Sequence, residues 1–158
     1  MADFSVAGEY SAALERLRAE DPGATGAIAA FVGLVRDVAP EGSGTLTLEH
    51  YPGMTERSIE RIVEQAQARW PLQDVVVIHR VGALAPQSQI VLVLTASAHR
   101  SAAFAACEFI MDYLKTDAVF WKREGGAAGS RWIESNADDR ERVAAWQAAS
   151  RAGEDESA

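Results

Sequence analysis

Residues 90–97, IVLVLTAS, open with five apolar positions in a row and show no alternation. Successive side chains of a strand point to opposite faces, so a strand with one wet face alternates apolar and polar residues. An unbroken run of this length predicts a strand covered on both faces. The rest of the chain must supply those covers.

The neighbouring segments read readily. Residues 8–20 form a short amphipathic helix stopped by Asp21-Pro22-Gly23, and residues 25–35 form a strand. DVAPEGSG (37–44) reads as a mobile surface loop, and TLTLEHY (45–51) as an alternating strand with Leu46, Leu48 and His50 on one face. A helix opens at Pro52, buries Ile59, Ile62, Val63, Ala66 and Trp70, and ends at Pro71. DVVVIHRVG (74–82) is a strand, ALAPQSQ a turn, and residues 98–115 a helix with an apolar middle. AVFWKRE (118–124) and RWIES are strands about the turn EGGAAGS, and residues 138–148 are a last helix. Strands in adjacent pairs with helices between the pairs predict an α+β domain with a largely antiparallel sheet. No GxGxxG or GxxxxGK[ST] follows a strand.

Composition narrows the function. The 158 residues fit a single domain over 1–150, followed by a small, acidic tail (151–158) that reads as disordered. The net charge of −8 argues against nucleic-acid and membrane-surface partners, which select basic faces. One cysteine excludes a disulfide framework, and no cluster of ligand residues predicts a metal. The N-terminus lacks the features of a signal peptide and no run is long enough to span a membrane, so the expected address is cytoplasmic.

Against this acidic background, basic residues stand at strand and helix ends: Arg36, His99-Arg100, Lys115 and Lys122-Arg123. A lone surface cation needs no function, Arg36 suits an edge gatekeeper, and Lys115 suits a helix C-terminus. His99 and Arg100 are harder to dismiss. They oppose the helix dipole in its first turn, and they gain if they converge with free backbone N–H groups on an anion. Lys122 lies in an aromatic segment, where burial favours acid/base or nucleophilic work. Cys107 sits mid-helix between Phe104 and Met111 and reads as a core hydrophobe, so a persulfide mechanism ranks last. His50 and His79 read as satisfied, partly buried strand residues.

FVGLVR (31–36), TLTLEHYPGMTE (45–56), VIHRVG (77–82), TASAHRS (95–101), FIMDYLKT (109–116) and FWKRE (120–124) resemble, in order and spacing, the large catalytic subunits of molybdopterin synthase. The resemblance runs from about Gly26 to Trp132. It implies an α/β-hammerhead-type fold and a sulfurtransferase of molybdenum-cofactor biosynthesis that needs no cofactor of its own. It also implies two ligands: cyclic pyranopterin monophosphate, and a ubiquitin-like small subunit carrying a thiocarboxylate on its C-terminal Gly-Gly. The implied assembly is a homodimer with a small subunit at each end, a heterotetramer. By motif, Arg36, His99, Arg100, Lys115 and Lys122 match the substrate pocket, with Lys115 and Lys122 catalytic and Leu34, Val35, Arg123 and Glu124 flanking. The chain departs from the family pattern at Val119, where Pro is usual, and at Asp117, an acid near Lys115. The rival reading is a non-catalytic dimeric module that only docks the ubiquitin-like partner.

Helix geometry adds a constraint. His99 and Lys115 are 16 residues apart in one predicted helix, about 24 Å at ~1.5 Å per residue. A pterin monophosphate cannot bridge that gap, and residues 101–114 contain neither Gly nor Pro to break the helix. Sites shared across a dimer interface are therefore expected.

Overall fold

The computed structural model describes residues 4–20, 23–36, 45–118, 120–126, 129–133 and 137–155. Helix α1 (Val6–Glu20) leads into strands β1 (Ala27–Leu34) and β2 (Thr45–His50). Helix α2 (Met54–Arg69) precedes β3 (Leu72–His79), β4 (Gly82–Leu84) and β5 (Gln89–Ser97). Helix α3 (Arg100–Thr116) is followed by β6 (Phe120–Gly126), β7 (Gly129–Ile133) and α4 (Ala137–Asp155). One antiparallel sheet has the order β1-β5-β3 and the other β4-β2-β6-β7, so the α+β expectation holds. Among the described residues no helix is long and apolar enough to cross a membrane.

The apolar run is the middle strand, and every residue from Val91 to Ser97 is buried. Val91 and Val93 pack with Ile62 and Ala66 of α2 and with Ala103 and Ile110 of α3. Leu92 and Leu94 face the other way, onto Ala13 of α1, with Val32, Val76 and Ile78 beside them. Where the run turns polar, each hydroxyl has a partner, as burial requires. Thr95 Oγ1 donates to the Ala103 carbonyl at 2.7 Å, and Ser97 Oγ to the Pro71 carbonyl at 2.9 Å. At the end of the ladder Gly26 is obligatory, since a Cβ there would meet the Ala98 carbonyl oxygen at 2.4 Å.

Several boundaries differ from the sequence reading. The strand expected over 74–82 stops at His79. Gly82, at φ 93, takes the left-handed conformation that lets the chain leave the first sheet, and Gly82–Leu84 then pairs with β2. The expected turn ALAPQSQ thus begins inside a strand too short to show a period. The helix expected from Pro52 starts at Met54, with the Gly53 N–H donating to Glu56 Oε2 at 2.6 Å. The backbone N–H of Glu56 itself, and after it that of Gly53, hold the Glu56 carboxyl below its usual pKa. Helix α4 outruns the expected 138–148. Residues 151–155, read as disordered tail, continue it, because each residue added to a formed helix gains a hydrogen bond. Residues 156–158, the loop 37–44, Val119, the tip of EGGAAGS at 127–128 and the end of RWIES at 134–135 lie outside the described residues.

Under α3 the core is aromatic. Trp70, Phe109 and Trp146 meet edge to face with centroids 5.4 to 5.7 Å apart. Cys107 belongs to this core, 8 % exposed, and burial pushes its thiol up to about 11. It is a packing residue, as its sequence context indicated.

Two tests follow from this packing. Leu94→Ala should lower the unfolding free energy by about 2–5 kcal/mol, read from urea titration, because the sandwiched strand cannot collapse into the cavity. The native protein should resist alkylation of Cys107 at about pH 8, where the thiol is still protonated, and react once urea is added. Mass spectrometry reads both states, and rapid native labelling would show the thiol to be accessible.

Candidate active site

At the end of β1 the chain is anchored and then released. Leu34 is 48 % exposed, Val35 is buried and Arg36 is exposed. The Val35 N–H donates to the Ser88 carbonyl at 2.9 Å, and its own carbonyl accepts from the Gln87 N–H at 2.8 Å. The Val35 side chain packs with Leu48 and Leu84. Val35 therefore fixes the backbone from which Arg36 projects.

Helix α3 begins after His99, whose backbone is extended (φ −126°, ψ 137°) and whose side chain makes no capping bond. His99 and Arg100 are both exposed at this helix start. The helix is continuous over 17 residues, so the predicted separation of His99 from Lys115 stands at about 24 Å. Only Ala98 and His99 separate β5 from α3, and α3 packs on β5 and β1, so the helix must run back along the sheet. Lys115 returns toward the end where β1 finishes, with Leu34 opposite Gln89. His99 and Arg100 stay at the other end, where Ala27 lies opposite Ser97.

Lys115 is half exposed, and its Nζ lies 3.5 Å from Asp139 Oδ1 on α4. The sequence pointed to Asp117 as the nearby acid. Asp117 is the C-cap of α3 instead, its N–H donating to the Tyr113 carbonyl at 2.8 Å and its carbonyl accepting from Ser58 Oγ at 3.1 Å. Asp139 is brought in by the grip of α4 on α3. Arg142 Nε donates to Asp112 Oδ1 and Trp146 Nε1 to Asp112 Oδ2, each at 2.9 Å, and Arg142 also pairs with Glu108. Asp112 is buried, so the two donors offset its desolvation. Its hydrogen bond raises the Arg142 pKa further above neutrality. No sequence pattern links residues 112, 115, 139 and 142, because the pairing exists only once α3 and α4 have docked.

On β6 the register sets Lys122 opposite Leu48 and Ile133, Arg123 opposite Thr47 and Trp132, and Glu124 opposite Leu46 and Arg131. Arg123 Nη2 lies 3.7 Å from Glu49 Oε1, and both side chains are well exposed, so the pair contributes at most ~1 kcal/mol. Leu48 packs against Val35, so the backbone of Lys122 runs beside the small core next to Arg36. One end of the chain thus collects Arg36, Lys115 and Lys122. His99 and Arg100 stand at the far end.

His50 and His79 are half-buried as expected, and they also line a cavity of about 400 Å³ with Thr55, Ile59, Val77 and Phe120. The His79 ring stacks on Phe120 at 4.0 Å, with Nδ1 2.9 Å from the Arg80 carbonyl. Walls drawn from two strands, a helix and the start of β6 leave no trace in a one-dimensional pattern. Among the described residues, His, Cys, Asp and Glu do not gather in threes able to hold a metal ion.

Comparison with known proteins places this arrangement. The family described as MoaE protein matches residues 3–117. The molybdopterin synthase catalytic subunit of Ralstonia nicotianae is 53 % identical over 147 residues, covering 92 % of this chain and 80 % of the relative. The molybdopterin biosynthesis MoaE protein of Burkholderia ambifaria superposes with a TM-score of 0.76 at 48 % identity, covering 93 % of this chain and 94 % of that one. Molybdopterin synthase from Staphylococcus aureus superposes at 0.65 with 30 % identity, covering 69 % of this chain and 80 % of that one. With two antiparallel sheets, a middle strand covered by helices on both faces and basic residues at the ends of α3, the chain belongs to the MoaE family.

Proposed function

We propose that the chain is the catalytic subunit of a molybdopterin synthase, transferring sulfur to cyclic pyranopterin monophosphate from the C-terminal Gly-Gly thiocarboxylate of a ubiquitin-like small subunit. The observation that carries the reading is the gathering of Arg36, Lys115 and Lys122 at one end of a member of the MoaE family. Its relatives are named as catalytic subunits, which implies a second subunit. Sulfur delivered by a partner also accords with a chain whose one thiol is buried.

In this reading Arg36, His99 and Arg100 recognise the phosphate and the pterin, as cations suit a cyclic phosphate. Lys115 lies beside the thiocarboxylate, and Lys122 acts as acid/base or oxyanion stabiliser while the acyl–sulfur bond is broken. Leu34, Val35, Arg123 and Glu124 flank the pocket, Val35 through its anchored backbone. The unbroken α3 supports composite sites, because one substrate cannot reach both helix ends. Each pocket then combines Lys115 and Lys122 of one protomer with the His99–Arg100 end of its partner, in a homodimer that carries a small subunit at each end. The cytoplasmic address expected from the sequence goes with the same reading.

Reconstitution with thiocarboxylated small subunit and cyclic pyranopterin monophosphate should yield molybdopterin. Lys115→Ala should abolish product, whereas Cys107→Ser should keep it. Absence of product from the wild-type chain, with the small subunit still bound, would leave only the docking role. Mixed dimers of a Lys115→Ala chain and an Arg100→Ala chain should recover about half the wild-type activity per dimer, since one pocket of the two is intact. Verified mixed dimers as inactive as both parents would overturn the composite arrangement.

A further inference from the structure

Asp139 has no part in the reaction as set out above, yet it faces Lys115 across the junction of α3 and α4. We propose that Asp139 is a positioning residue: from the first turn of α4 it tethers the Lys115 ammonium and aims it for the incoming thiocarboxylate. The inference rests on the reading of Lys115 given under Proposed function.

Three observations carry it. The acceptor is the sheltered partner, with the Asp139 side chain 15 % exposed against 48 % for Lys115. Its position is set by the helix that bears it. Asp139, Arg142, Val143 and Trp146 fall at i, i+3, i+4 and i+7, one helical face, and the last three are fixed against α3 by the Asp112 bonds and by burial of Val143. Lysine, by contrast, carries its charge on a flexible stem with many rotamers, and a reacting group needs one geometry. A single carboxylate contact engages one of the three ammonium donors and leaves the others for an anionic tail.

A purely structural role is the alternative, because an acid in the first turn of a helix is favourable in any case. Turnover, small-subunit affinity and melting temperature separate the two when measured on Asp139→Asn and Asp139→Glu. Positioning predicts that Asp139→Asn lowers kcat about tenfold or more. It should leave small-subunit affinity equal or tighter, since a negative charge near the anionic tail is gone, and shift Tm by only a few degrees. Asp139→Glu should recover most of the loss. Independently of turnover, reductive methylation of Lys115, followed by mass spectrometry, should accelerate in Asp139→Asn.

Wild-type kcat in Asp139→Asn, with Lys115→Ala inactive, overturns the tether and leaves the reading of Lys115 intact. Full activity in Lys115→Ala overturns that reading and the tether with it. A loss of kcat that tracks a loss of Tm, and that Asp139→Glu does not reverse, assigns Asp139 to helix packing and also overturns the proposal.

Discussion

Burial of β5 on both faces organises this protein. Val91 and Val93 require α2 and α3 on one side, and Leu92 and Leu94 require α1 on the other. Burying a Leu or Val side chain contributes roughly 1.5–3 kcal/mol, so the strand and its covers hold much of the stability available to a domain of this size. Because the covers attach to the middle strand, the directions of β1, β3 and α3 all follow from it. The polar end of the run ties in the remaining joints: Thr95 bonds the first turn of α3, and Ser97 bonds the chain between α2 and β3.

The placement of the basic residues is a consequence of that organisation. A helix that follows β5 after two residues and packs on the same sheet has to lie along it. Its two ends then stand a full strand length apart. His99 and Arg100 are held at the end where the strand finishes, and Lys115 is carried back beside the exit of β1. Distance, rather than charge, separates the basic residues at the two ends of α3.

The docking of α4 adds what the sheet cannot. Asp112 is a buried carboxylate that would be costly alone. Arg142 and Trp146 neutralise and satisfy it, and in doing so fix the helix that presents Asp139 to Lys115. Val143 and Trp146 join the same core as Phe109, so apolar packing and the bonds to the buried Asp112 carboxylate point to a single seating of α4. A polar network built on one buried carboxylate specifies geometry more than it adds stability.

The sequence by itself determined the elements and their class. Period-2 and period-3.6 patterns, Pro71 and the unbroken run at 90–97 sufficed for the α+β order, the covered strand and the long α3. The motifs brought the candidate residues with them. Local signals stopped where pairing is decided at a distance. The three residues of β4 are too few to show a period, and their place in the second sheet depends on Gly82 turning the chain toward β2. The last turns of α4 looked like a polar tail because their composition is weak by itself, whereas a helix already nucleated on α3 propagates through them. Sequence proximity points to Asp117, two residues away, as the acid beside Lys115. Only tertiary structure brings Asp139 there, because a side chain's charged partners are set by which helices dock, and docking is decided by the buried faces of α3 and α4 together.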